Sequence, residues 1–174
     1  MKILTELIQK DSVRMNLLSA VCATDLPDCY IAAGFVRNLV WDHLHGFPST
    51  QLNDVDVIYF SKTTIDEKAI LGRLLMTHPN TNWQLKNQAL MHIRNGDQPY
   101  RCSIHAMEYW PEIETAIAVK LNSNSELVLA SPFNISAIFD GFITHNKNRG
   151  KNVFLARVQN KNWLNHWPKL QIKI

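Results

Sequence analysis

Two carboxylates one residue apart open the run Asn53-Asp54-Val55-Asp56-Val57-Ile58-Tyr59-Phe60, which then turns apolar. A stretch so rich in β-branched and aromatic residues reads as a strand. Side chains alternate along a strand, so Asp54 and Asp56 share one face, about 6–7 Å apart at the backbone, while Val55 and Val57 point to the other. Two carboxylates placed this way can converge on a divalent cation that holds phosphate oxygens. The same residues also admit a plainer reading, a turn leading into a strand with its acids in water.

What precedes this strand narrows the choice. Cys29-Tyr30-Ile31-Ala32-Ala33 is short, apolar and bounded by Pro27 and Gly34, as a buried strand is. Phe35 to Leu44 then has helical spacing, with Val36, Leu39, Val40 and His43 on one face and Gly46 and Pro48 ending it. A glycine turn feeding a helix N-terminus offers free backbone N–H groups and the positive end of the helix dipole to an anion. Arg37, one turn into the helix, can add a charge-assisted contact to phosphate.

The rest of the chain supplies the elements of a sheet with helices on it. Ile3, Leu4, Leu7 and Ile8, then Leu17, Leu18, Val21 and Cys22, predict a helix pair broken near Asp11-Ser12. Thr63-Thr64 reads as an N-cap for a helix running to about Met76, and Trp83 to Leu90 alternates as a strand. A short helix over Ser103 to Trp110, a hairpin of Thr115–Leu121 with Glu126–Ala130, a helix near Asn134–Asp140 and a helical tail complete the order. The expected fold is α/β (α+β), a mixed sheet with helices packed on it, in one domain over 1–174. An N-terminal helical segment, 1–26, and a C-terminal helical tail, 150–168, are appended to it.

Composition excludes several classes. An apolar fraction of 46% with five Trp and seven Phe argues against disorder, and a net charge of +3 permits phosphate or nucleic-acid binding without requiring it. Cys22, Cys29 and Cys102 are odd in number and lack metal spacing, and His43 and His45 point in different directions on their helix. Met1 to Lys10 is not a signal peptide, and no window reaches membrane-spanning length, so a soluble cytoplasmic protein is expected.

Order and spacing together, strand, glycine turn, helix, loop and Asp-x-Asp strand, resemble the signature of the DNA polymerase beta-like nucleotidyltransferase superfamily. Gly34-Phe35-Val36-Arg37-Asn38 followed by Asp54-Val55-Asp56 is similar to the Gly-Gly-x-Val-Arg-Asp…Asp-x-Asp pattern of CCA-adding enzymes. The resemblance is closer to a bacterial group of small nucleotidyltransferase family proteins. That group is marked by Ala33-Gly34…Arg37-Asn38…Trp41-Asp42, then Asp54-Val55-Asp56. Later motifs fit it as well: Lys86-Asn87-Gln88-Ala89…Met91-His92, Pro99-Tyr100, Trp110-Pro111-Glu112 with Thr115-Ala116, Ser131-Pro132, and Trp163 with Trp167-Pro168.

The resemblance implies a metal-dependent transfer of a nucleoside monophosphate from a nucleoside triphosphate to a hydroxyl on RNA, protein or a small molecule. It implies Mg²⁺ (or Mn²⁺) on Asp54 and Asp56, and the triphosphate at Gly34, Arg37 and Asn38. Lys86 and Asn87 are expected to assist in the cleft. Two departures favour the alternative of a degenerate nucleotide- or RNA-binding member. Phe35 stands where a second Gly or Ser of the turn is expected. The third carboxylate has no clear counterpart, with Lys86 and Asn87 on the strand that should carry it and Glu112 and Glu114 as the other acids nearby.

Overall fold

The alternation along the Asp-x-Asp strand divides the molecule into a dry side and a cleft side. The computed structural model describes residues 1–174 and centres on a five-stranded mixed sheet. Its strands are β1 (Tyr30–Ala32), β2 (Val55–Tyr59), β3 (Trp83–Asn87), β4 (Ala118–Leu121) and β5 (Leu127–Ala130), in spatial order β3-β2-β1-β4-β5. All neighbours are antiparallel except β2 and β3, which run parallel. A parallel pair needs a crossover, and α4 (Glu67–Thr77) supplies it.

One face of the sheet is fully covered. Ile31, Val57, Tyr59 and Val119 project into a core closed by α1 (Lys2–Lys10), α2 (Ser12–Cys22), α3 (Gly34–His45) and α4. Buried Leu4 and Ile8 in α1, and Leu17, Leu18 and Val21 in α2, lie at the spacing that puts apolar groups on one helix face. The break between these helices is capped by Asp11, whose carboxylate accepts the Arg14 N–H at 3.0 Å. The opposite face is covered over Tyr30, Ala32, Ile58 and Ala118, which pack with Met107 of α6 (Ser103–Met107). Farther along, that face opens into a cleft.

The C-terminal segment closes one end of the cleft. β6 (Phe142–Thr144) and β7 (Gln171–Lys173) form a separate parallel pair around α7 (Lys151–Lys161) and α8 (Trp163–His166). Ile143, Phe154, Val158, Trp163, Trp167 and Leu170 pack around Trp41 of α3. The rings of Trp163 and Trp167 meet Trp41 edge-on at 5.6 and 5.1 Å, the arrangement their quadrupoles favour.

Several boundaries differ from the sequence expectation, each for a local reason. β3 ends at Asn87, whose side chain accepts the Ala89 N–H at 3.1 Å and starts α5 (Gln88–Asn95) where a strand was expected to continue. The cap of α4 is Asp66, not Thr63 or Thr64, which lie in the preceding loop. His43 is exposed rather than on the buried face of α3; His45 is the buried one, accepting the Lys169 N–H at 2.9 Å. The helix near residue 135 is a 3₁₀ turn, Ile135–Phe139. The β6–β7 pair was not foreseen, because two three-residue strands 26 residues apart leave no periodic pattern.

Candidate active site

The antiparallel register of β1 and β2 sets Ala32 opposite Asp56. The chain leaves β1 at Ala33 and enters α3 at Gly34, so the turn lies beside the two carboxylates on the cleft face. Ala33 adopts φ +58° and ψ −122°, a conformation natural to glycine. Its carbonyl accepts the N–H groups of Val36 and Arg37, while those of Gly34 and Phe35 have no partner within the helix. A Cβ on Gly34 would stand 3.5 Å from Arg37 Nη2 and from Asn38 Nδ2, so these two side chains form a floor that the bare glycine leaves open.

Phe35 does not obstruct the turn. It is 1% exposed and points into the main core. From below, Arg14 donates to the Phe35 carbonyl at 2.8 Å and stacks on its ring. In the Gly-Gly-x-Val-Arg-Asp pattern Phe35 occupies the variable position. The departures from the pattern fall on Asn38, which stands at its Asp, and on Ala33, which holds the glycine-type conformation at a cost of order 1–3 kcal/mol.

Arg37 is the most constrained cation in the cleft. Its guanidinium lies between the Trp41 and Trp163 rings at 4.8 and 4.5 Å, donates to Thr115 Oγ1 at 2.8 Å and Asn38 Oδ1 at 2.9 Å, and leaves Nε without a partner. Burial pushes its pKa down to about 10, and the charge of Arg157 works the same way; Glu112, and after it Asp56 and Asp54, oppose the shift.

Asp54 and Asp56 are half-buried and open to the cleft. Asp54 makes no side-chain hydrogen bond within the chain. Asp56 pairs through Oδ1 with the ammonium of Lys86, which is 43% exposed and reaches over from β3. Hard carboxylate oxygens suit Mg²⁺ or Mn²⁺, and Asp54 with the free Asp56 Oδ2 are the groups here that could hold such an ion. No third Asp, Glu, His or Cys joins them.

The other acids weighed as a third carboxylate are committed elsewhere. Glu112 is wholly buried and grips Arg157 through two contacts, Nε to Oε1 at 2.7 Å and Nη2 to Oε2 at 3.4 Å. Glu114 accepts the Thr144 N–H at 2.7 Å, and burial pushes its pKa up. Asn87, expected in the cleft, lies outside it. Its amide binds the N–H and carbonyl of Ser61 at 3.1 and 2.9 Å and caps α5, because alternation turns it to the opposite face from Lys86.

The cleft has two lobes. One, of about 330 Å³, holds Gly34, Arg37, Asn38, Asp54 and Asp56, with Arg157, Lys161, Asn162 and Trp163 along its C-terminal wall. The other, of about 200 Å³, lies beyond Asp56 against Ile58, Lys86 and α5. Ala33, Asp56, Thr115 and Arg157 border both. Arg157 and Lys161 were not foreseen from the sequence. Their signal is that every charged residue after Asp140 is a Lys or Arg. Asp42, 1% exposed, ties the far wall together by accepting the Thr50 N–H at 2.7 Å and Trp167 Nε1 at 2.9 Å.

A family model described as nucleotidyltransferase matches residues 19–172. The chain belongs to the nucleotidyltransferase family. No curated protein matches it. Among solved structures, one described as revealing a CCA-adding enzyme head domain superposes with a TM-score of 0.86 at 27% identity, covering 99% of this chain and 95% of that one. A CCA-adding enzyme in complex with CTP superposes with a TM-score of 0.64 at 13% identity, covering 98% of this chain and 43% of that one, a likeness of fold. No helix is long and apolar enough to cross a membrane.

Proposed function

We propose that this nucleotidyltransferase family member transfers a nucleoside monophosphate from a nucleoside triphosphate, with Mg²⁺ or Mn²⁺, to a hydroxyl acceptor. The observation that carries the reading is one juxtaposition: the unpartnered N–H groups at Gly34 and Phe35, the guanidinium of Arg37, and the Asp54–Asp56 pair all border one cleft. The helix N-terminus and Arg37 would bind the β- and γ-phosphates. Asp54 and Asp56 would hold the metal ion, which would supply Lewis-acid polarisation of a phosphoryl oxygen and offset charge on the leaving group.

Transfer then requires the acceptor oxygen to bond to the α-phosphorus in line with the departing oxygen. The bond from the α-phosphorus to the bridging oxygen breaks, its electron pair leaves on pyrophosphate, and the hydroxyl proton passes to solvent water in the cleft. Lys86 and Arg157, at the rim, would steady the phosphoryl oxygens. The free thiols of Cys22, Cys29 and Cys102 accord with work in the reducing cytoplasm.

Mg²⁺-dependent pyrophosphate release from each nucleoside triphosphate tests the reading. Release should vanish in the protein carrying Asp54→Asn with Asp56→Asn; unchanged release there would remove both residues from their roles. A second reading, binding without turnover, is favoured by one observation: a lysine ammonium, not a third carboxylate, sits against Asp56. Calorimetric binding of Mg-nucleotide with no pyrophosphate over long incubation would select it.

A further inference from the structure

The smaller lobe points to the acceptor. We propose that it is an acceptor pocket for a small, one-ring hydroxy acid, a narrowing that rests on the donor site proposed above. The two lobes meet at Asp56, where an α-phosphate held from the Gly34 side would present its open face to the lobe beyond. In-line transfer needs donor and acceptor on opposite sides of that phosphorus. The larger lobe carries the phosphate-binding features and the exposed basic wall, so the smaller one is left for the acceptor.

Its walls define the chemistry. Gln88, Met91 and Asn95 come from one face of α5, at i, i+3 and i+7. Ile58, Tyr100 and Trp110 add apolar and aromatic surface to the lining. At about 200 Å³ the lobe falls below the ~300–1,000 Å³ of sites that enclose drug-sized ligands, so one ring fills it. Gln88 is 3% exposed; its Nε2 donates to the Lys86 carbonyl at 3.1 Å, while Oε1 accepts no hydrogen bond from the chain. That oxygen can take a ligand hydroxyl or N–H. Two cations, Lys86 and Arg157, against one acid, Asp56, line the lobe, and this excess favours a carboxylate or phosphate on the ligand over a cation.

The pocket is rigidly built. The Tyr100 hydroxyl is held by Asp97 and by Asn95 Nδ2 at 3.2 Å, and Asp97 is gripped through both oxygens by Arg149. This network serves the wall and touches neither carboxylate of the donor site. A fixed aromatic wall suits a compact ligand, since little ordering cost remains on binding.

The test is NMR of the full chain with labelled Met methyl and Trp indole groups. Titration with 4-hydroxybenzoate and 4-hydroxyphenylacetate should shift the Met91 methyl and the Trp110 indole N–H and leave Trp83 still. Mg-ATP should shift the Trp163 indole N–H instead. Trp110→Leu should weaken the probes at least tenfold while Mg-ATP affinity stays within twofold. Lys86→Gln, in a chain whose spectrum stays dispersed, should weaken the acids more than neutral 4-hydroxybenzyl alcohol. The proposal is overturned if neither acid moves Met91 and Trp110. It is equally overturned if only Mg-nucleotide moves them, which makes the lobe a base pocket, or only an oligoribonucleotide or peptide does. Probes that shift Met91 and Trp110 while Mg-ATP shifts nothing would break the donor reading and leave the pocket standing.

Discussion

Along β2, Val55, Val57 and Tyr59 are each at most 1% exposed, whereas Asp56, between two of them, keeps 19% of its side chain in water. Strand alternation thus splits one five-residue element between two tasks. One face joins the helices through dispersion and burial; the other spends part of its area on charge. Substitutions on the two faces should therefore fail in different assays, and that difference can be broken or sharpened by experiment.

The largest effect is expected on the cleft face. Asp54→Asn with Asp56→Asn should reduce pyrophosphate release by at least about 10³-fold. Urea unfolding should move by less than about 1 kcal/mol, since the Asp56–Lys86 pair is partly solvated. Ile31→Ala on the dry face should do the reverse: a loss of about 2–5 kcal/mol in the same unfolding curve, with activity per folded molecule retained. A large stability loss from the Asp pair would erase the division.

Arg37 is buried between tryptophans at the border of the cleft. Arg37→Ala should weaken Mg-nucleotide binding by roughly 10–100-fold in calorimetry, the worth of one charge-assisted contact. Arg37→Lys should not restore it, because the planar fork that reaches Thr115 and Asn38 is lost.

The smallest effect concerns a carboxylate on the cleft side that serves structure alone. Burial works against the charge of Asp97, but hydrogen bonds from Arg149 and Tyr100 overcome it and hold its pKa below the ordinary carboxylate value. A depressed folded pKa adds stability that is present above about pH 4 and is lost as the pH falls through the folded value. Asp97→Asn should cost about 1–3 kcal/mol at pH 7 and flatten the acid limb of the stability–pH curve, leaving nucleotide affinity unchanged.

Much of this division is legible in the sequence because alternation and helix spacing are local. The order strand, glycine turn, helix, Asp-x-Asp strand placed Gly34, Arg37, Asn38, Asp54, Asp56 and Lys86 at one cleft. Asn87 was expected in the cleft, but Ser61, 26 residues away, binds its amide on the other face. The missing small residue of the turn was expected at Phe35 and lies at Ala33, since a positive φ leaves no mark in composition when alanine adopts it. Arg157 escaped notice because Glu112, which orients it, is 45 residues distant.

The central claim is that the Gly34 turn and the Asp54–Asp56 pair form one metal–nucleotide site. Paramagnetic relaxation by Mn²⁺ on the ¹⁵N-labelled chain, with a non-hydrolysable nucleoside triphosphate present, tests it most directly. The account predicts broadening of the amides of residues 33–37 and 54–56, abolished by Asp54→Asn with Asp56→Asn. Broadening confined to other parts of the chain, or unaltered in that variant, would contradict it.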